Sequence, residues 1–101
     1  MSPTQRTLKQ LRADGWLPWI VEKWNPHARR RQDLYGGIDV LALRKTSTLA
    51  IQCCAGGDVA KRVQKLKELP TLPWMLEAGW RVEVWGWRKL VTGWAPKVVV
   101  L

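Results

Sequence analysis

"GGIDVLALRKTSTLAIQCC", residues 36 to 54, decides how the chain folds. Two apolar runs, "IDVLAL" and "TLAIQCC", flank the polar connection "RKTS", whose length suits a hairpin, so they are predicted as adjacent antiparallel strands. Their near-continuous apolar character marks them as central and buried. Two polar residues interrupt the pattern, Asp39 at the start of the first run and Gln52 inside the second. A charge or amide in a core needs a partner or a metal, because leaving it bare costs on the order of several kcal/mol. The plainer reading is that Asp39 caps the strand start beside Gly36 and Gly37, while Gln52 bonds to backbone.

Upstream, "SPTQRTLKQLRADG" (2 to 15) reads as a helix with Ser2 as N-cap, Pro3 at the first helical position, Gln5 in capping-box position and Gly15 as the stop. Only Leu8 and Leu11 form an apolar stripe. "WLPWIVEKW" (16 to 24) is rich in β-formers, with Pro18 near its start, and predicts one edge strand with Glu22 on the face of Ile20 and Trp24. "NPHARRRQDLYGG" (25 to 37) opens on an Asn-Pro turn signal and reads as a basic loop carrying Arg29, Arg30 and Arg31, with room for one helical turn.

Downstream, Val59, Val63, Leu66 and Leu69 of "DVAKRVQKLKEL" (58 to 69) form one helical stripe. Arg62 falls inside that stripe, and Lys61 and Lys65 lie at its margin. "LPWMLEAGW" (72 to 80) predicts a short helix ended by Gly79. "RVEVWGWRKL" (81 to 90) and "KVVVL" (97 to 101) then read as strands, with "VTGWAP" turning between them. The expected order is α-β-β-β-α-(α)-β-β, in one domain over residues 1 to 101.

Lys and Arg number 17 against 8 acids, a net charge of +9, which favours a polyanionic partner: nucleic acid first, an anionic membrane second. No apolar run approaches the roughly 18 to 20 residues that cross a bilayer, and "MSPTQRTLKQ" lacks a signal peptide's apolar stretch, so a cytoplasmic protein without membrane association is expected. Cys53 and Cys54, adjacent on a strand, point to opposite faces and have no CxxC or Cys/His partner, so they read as small buried hydrophobes and not as a zinc site. His27 stands alone as a surface loop residue. Of the eight Trp, most are expected to pack in the core or on the sheet surface, with one or two free to stack on bases.

Glu22 in an apolar strand, the arginine run just before Asp39, and Arg62 on an inward helix side together describe carboxylates beside cations under a basic surface. Metal-assisted phosphodiester hydrolysis requires that combination. With these residues the chain resembles the PD-(D/E)XK superfamily, the restriction-endonuclease-like nucleases that include archaeal-type Holliday junction resolvases. The superfamily pattern is an early acid, an Asp opening the second strand, and Glu or Gln, any residue, then Lys on the third. Here it becomes Glu22, Asp39 and Gln52. A group of small phage-encoded members is closer still, matching Trp24-Asn25, Arg31, Asp33-Leu34-Tyr35-Gly36, Ile38-Asp39, Ala42, Gln52, Gly56, Val59, Arg62-Val63, Lys65 and Gly86-Trp87-Arg88-Lys89.

The resemblance implies an α/β fold with a restriction-endonuclease-like αβββαβ core, a central mixed sheet flanked by helices. It implies a metal-dependent DNA endonuclease, acting on branched or junction DNA as a homodimer, with Glu22, Asp39 and Gln52 holding Mg²⁺ or Mn²⁺. Cys54 stands where the superfamily has its lysine; migration of that lysine to the next helix implies Lys65 or Lys61 as the cation assisting water and Arg62 as a phosphate clamp. Arg29, Arg30 and Arg31 are expected on phosphates. Asp33 is an alternative acid, set against a structural role pairing with Arg31 or capping its turn. Two other readings stay open: a nucleic-acid-binding module on the same fold whose catalysis is lost, and a module that inhibits a host protein.

Overall fold

The computed structural model describes residues 1–101. Helix α1 (Pro3–Ala13) begins as the sequence predicts: the Ser2 hydroxyl accepts the Gln5 N–H at 3.1 Å, satisfying a donor the helix itself leaves free. Three short strands follow, β1 (Leu17–Ile20), β2 (Lys23–Asn25) and β3 (Arg30–Gln32). The long hairpin comes next, β4 (Val40–Arg44) and β5 (Ser47–Ala55), antiparallel with Arg44 opposite Ser47. A 3₁₀ turn (Gly56–Asp58) leads into α2 (Val59–Lys67) and then α3 (Leu72–Glu77). The chain ends in β6 (Arg81–Leu90) and β7 (Gly93–Val100).

Five strands form one mixed sheet in the order β1-β4-β5-β6-β7, in which only β5 and β6 are parallel. A parallel pair requires a crossover, and α2 and α3 supply it. On one face α1 lays Leu8 and Leu11 against Val40, Ala42, Ile51, Cys53, Trp85 and Trp87. On the other, Val59, Leu66, Leu72 and Met75 of α2 and α3 pack on Ala50, Cys54, Val82 and Val84. The sheet is thus covered by helices on both sides, and the free cysteines divide between the two cores as strand alternation dictates. Gly86 permits the α2 contact: a Cβ there would stand 2.1 Å from Val59 Cγ2. No helix is long and apolar enough to cross a membrane.

Three expectations are corrected. The run from 16 to 24 is not one strand: after Val21 the chain leaves the sheet, and Lys23–Asn25 pairs instead with Arg30–Gln32. The basic stretch therefore contains β3 and no helical turn, its hairpin closed by Asn25 Oδ1, which accepts the His27 and Ala28 N–H groups. Residues 93 to 96 belong to β7 rather than to a turn, with Leu90 opposite Gly93 and Pro96 tolerated on an edge strand. Of the tryptophans, only Trp85 and Trp87 are buried; Trp19, Trp24, Trp74 and Trp94 are exposed.

Candidate metal centre

Backbone pairing gathers three acids onto the α2 face of the sheet. The Asp39 N–H donates to Ile51 O at 2.9 Å, and the Asp39 carbonyl accepts the Val21 N–H at 2.9 Å, so Glu22 is anchored one residue from that bond. Leu34 and Ile38 exchange two backbone hydrogen bonds, 2.9 and 3.0 Å, and the loop they close swings Asp33 back beside Asp39. Gly37 in that loop has no room for a side chain: a Cβ would lie 2.5 Å from Leu66 Cδ2 and 2.6 Å from Leu69 Cδ1. A glycine here lets α2 close directly over the loop.

Carboxylate oxygens of Glu22, Asp33 and Asp39 consequently lie within 4.8 Å of one another. Asp39 is buried and the other two half-buried. Asp39 Oδ2 accepts from Gln52 Nε2 at 2.7 Å and from the Cys53 N–H at 2.9 Å. Gln52 is 1% exposed, and its Oε1 has no donor. The Asp39 carboxyl is pushed up from its ordinary 3.8 to about 7, chiefly by burial and further by Asp33 and Glu22, against the lowering effect of the Cys53 N–H.

The residues fit a hard divalent cation. Three carboxylates within one ion's reach make an all-oxygen donor set, and Gln52 presents its amide Nε2 to Asp39, leaving its buried Oε1 without a donor. The cluster differs from the sequence expectation in one member. Asp33 joins Glu22 and Asp39 and does not pair with Arg31; its partner is Lys65, with Nζ 3.9 Å from Asp33 Oδ2. Arg31 pairs with Glu22, Nε to Oε1 at 3.6 Å. Gln52 bears on the site through its hydrogen bond to Asp39.

The other predicted site residues separate. Lys65 reaches one of the acids, Asp33, whereas Lys61 is exposed and makes no ion pair with any of them. Arg62 is half-buried, as its inward position on α2 predicts, and its charge acts on Cys54, whose thiol burial raises more than Arg62 lowers it. Arg30 and Arg31 line a cleft of about 500 Å³ with Gln32, Asp33, Gly36 and Lys65 and no hydrophobic residue, while Arg29 sits outside it at the hairpin turn, with φ 50°. The third buried acid or amide besides Asp39 and Gln52, Glu83, lies near Trp16 and Leu49 on the α1 side and is occupied structurally: Arg81 Nε donates to one oxygen and Trp85 Nε1 to the other at 2.8 Å.

No protein-family model matches the chain, and no curated protein or solved structure is similar enough to count as a match.

Proposed function

We propose that this protein is a metal-dependent DNA endonuclease with a restriction-endonuclease-like PD-(D/E)XK core. The observation that carries the reading is the convergence of Glu22, Asp33 and Asp39 beside the buried, incompletely bonded Gln52, next to an arginine-lined cleft. Glu22, Asp33 and Asp39 would hold Mg²⁺ or Mn²⁺, and Gln52, whose Nε2 faces Asp39, would add its amide oxygen as a neutral fourth donor by turning that amide over. When bound, such an ion makes water a stronger nucleophile and offsets charge on phosphate.

The chain's own groups supply the rest. Arg30 and Arg31 grip the phosphates of the strand and position the scissile group over the acids. Lys65, beside Asp33, is the cation within reach of the attacked phosphate, and it takes the part of the lysine that Cys54 replaces. Lys61 has no such position. Arg62, close to Cys54, adds positive charge on the same side of β5. A homodimer would present two such centres to two strands of a branched or junction DNA. The exposed Leu17 and Trp19 on the edge strand β1, with the exposed Leu43 on the neighbouring β4, suit the dimer contact.

The test is cleavage of labelled linear, single-stranded, flap and four-way-junction DNA with Mg²⁺ or Mn²⁺. EDTA and Asp39→Asn serve as controls. Metal-dependent cutting that Asp39→Asn abolishes is expected, and the preferred substrate identifies the DNA structure. Binding of all four DNAs without any cutting would refute the endonuclease and support a second reading, a DNA-binding module without catalysis. The observation favouring that second reading is the neutral, buried Cys54 in the lysine position.

A further inference from the structure

Beside the arginine cleft lies a second recess of opposite character. It is lined by Tyr35, Thr71, Trp74, Met75, Ala78 and Trp80, with a volume of about 430 Å³. Met75, 4% exposed, closes its floor, while Trp74 is 76% exposed and Tyr35 55% exposed. The Tyr35 and Trp80 rings stand 5.9 Å apart, tilted by 58°. Large aromatic faces left in water are a cost that core packing does not explain, since α3 already buries Leu72 and Met75.

The two recesses share a wall. Tyr35 lines the aromatic one and the next residue, Gly36, lines the cationic one, so the two linings meet at consecutive residues, about 3.8 Å apart along the chain. Tyr35 is held there in the left-handed region, φ 52°, a conformation a bulky residue rarely adopts. The Thr71 hydroxyl fixes it by donating to the Tyr35 carbonyl at 2.7 Å. This hydrogen bond ties the loop bearing Asp33 to the start of α3.

We infer that Tyr35, Trp74 and Trp80 form a subsite for an unstacked nucleobase belonging to the DNA strand whose phosphate occupies the arginine cleft. An anionic group with a flat apolar ring one bond system away is the chemistry that a cationic cleft and an adjoining aromatic recess accept together, and a nucleotide of an unpaired strand has both parts. A duplex keeps its bases stacked and cannot fill the recess without flipping one out. The inference rests on the proposed action on DNA. It specifies that the strand engaged is single-stranded or unpaired at the site.

Affinities are measured in EDTA by fluorescence anisotropy with labelled oligothymidylate, its abasic counterpart and a blunt duplex; cleavage is read separately with Mg²⁺. Trp74→Ala should weaken oligothymidylate binding by about 5- to 150-fold, the range for loss of one stacked base. It should leave duplex and abasic binding as in the unmodified protein. Trp74→Phe should restore most of the affinity, and Trp94→Ala, which removes an exposed tryptophan on β7, should have no effect. Equal binding of oligothymidylate and the abasic strand, or unchanged binding by Trp74→Ala, overturns the subsite whether or not the protein cuts DNA. Base-dependent binding lost in Trp74→Ala, in a protein that cuts nothing with Mg²⁺, upholds the subsite and overturns the nuclease reading alone.

Discussion

Asp39→Asn should make the metal-free protein more stable at pH 8, although it removes a buried, doubly hydrogen-bonded side chain. Burial and two neighbouring carboxyls push Asp39 from 3.8 to about 7. The folded state therefore holds a proton that the unfolded chain has already released between those values. Stability from this group is full below pH 3.8, falls as pH rises through the window, and is gone above about 7. At 1.36 kcal/mol per pH unit, the displacement corresponds to a penalty of about 4 kcal/mol for the ionised group, an upper bound once the neighbours relax. The amide in Asp39→Asn carries no charge, keeps one oxygen to accept from Gln52 Nε2 and the Cys53 N–H, and turns its NH₂ toward Asp33 and Glu22.

A net gain of about 1–3 kcal/mol at pH 8 is expected, and at about 4–8 °C per kcal/mol for a chain of this size it is easily measured. Thermal unfolding in EDTA, followed by circular dichroism at pH 5 and pH 8, gives the comparison. At pH 5, where Asp39 is protonated and nearly isosteric with the amide, the difference between the proteins should shrink toward zero. Mg²⁺ at pH 8 should raise the midpoint of the unmodified protein and not that of Asp39→Asn. An Asp39→Asn protein less stable at pH 8, or a difference identical at the two pH values, would show that Asp39 is an ordinary structural carboxylate and remove the electrostatic basis for a metal centre.

Lys65→Met should lower cleavage by on the order of 10²-fold, as loss of one charge-stabilising donor does, while Lys61→Met stays close to the unmodified rate; equal losses in single-turnover assays would remove the distinction between them. Gly37→Ala should destabilise the fold by about 1–3 kcal/mol, because Leu66 and Leu69 must move from a Cβ placed 2.5 and 2.6 Å away. Urea titration should show the midpoint fall with the slope unchanged, and an unchanged midpoint would mean that α2 lies farther from the loop than described.

Local chemistry made much of this fold legible. Ser2, Pro3 and Gly15 mark the ends of α1, the polar "RKTS" marks the β4–β5 connection, and the β6 run matches its strand residue for residue. The small β2–β3 hairpin was not legible, because its strands are too short to show alternation and its pairing joins Trp24 to Arg31 across a turn with no glycine. The site was legible in part for the same kind of reason. Asp39 and Gln52 stand out as polar residues in apolar strands, but Asp33 sits in an ordinary polar loop. Its place among the acids follows from the Leu34–Ile38 closure, a backbone event that no residue type announces. Lys65 and Lys61 likewise look equivalent on the helix margin until the position of Asp33 separates them.

The electrostatics of the cluster bear on why the fold keeps it. Two carboxylates within 4.8 Å of each other repel by at least about 3 kcal/mol at an effective dielectric of 20, and three such groups meet here. The cations beside them do little to relieve this: Arg31 and Lys65 approach only to 3.6 and 3.9 Å, with side chains 69% and 47% exposed, and such pairs contribute about 0–1 kcal/mol. Asp39 has no cation of its own and keeps its proton up to about pH 7 instead. A purely structural strand start needs one acid bonded to Gln52 and the Cys53 N–H; Glu22 and Asp33 add repulsion without filling core space. A divalent ion reverses the sign of that arrangement, displacing the Asp39 proton and making all three carboxylates favourable at once. Metal affinity should therefore rise with pH up to the value at which Asp39 ionises and level off above it, and isothermal titration with Mg²⁺ from pH 5.5 to pH 8.5 measures this directly. A flat affinity across that range would mean that Asp39 takes no part in holding the ion.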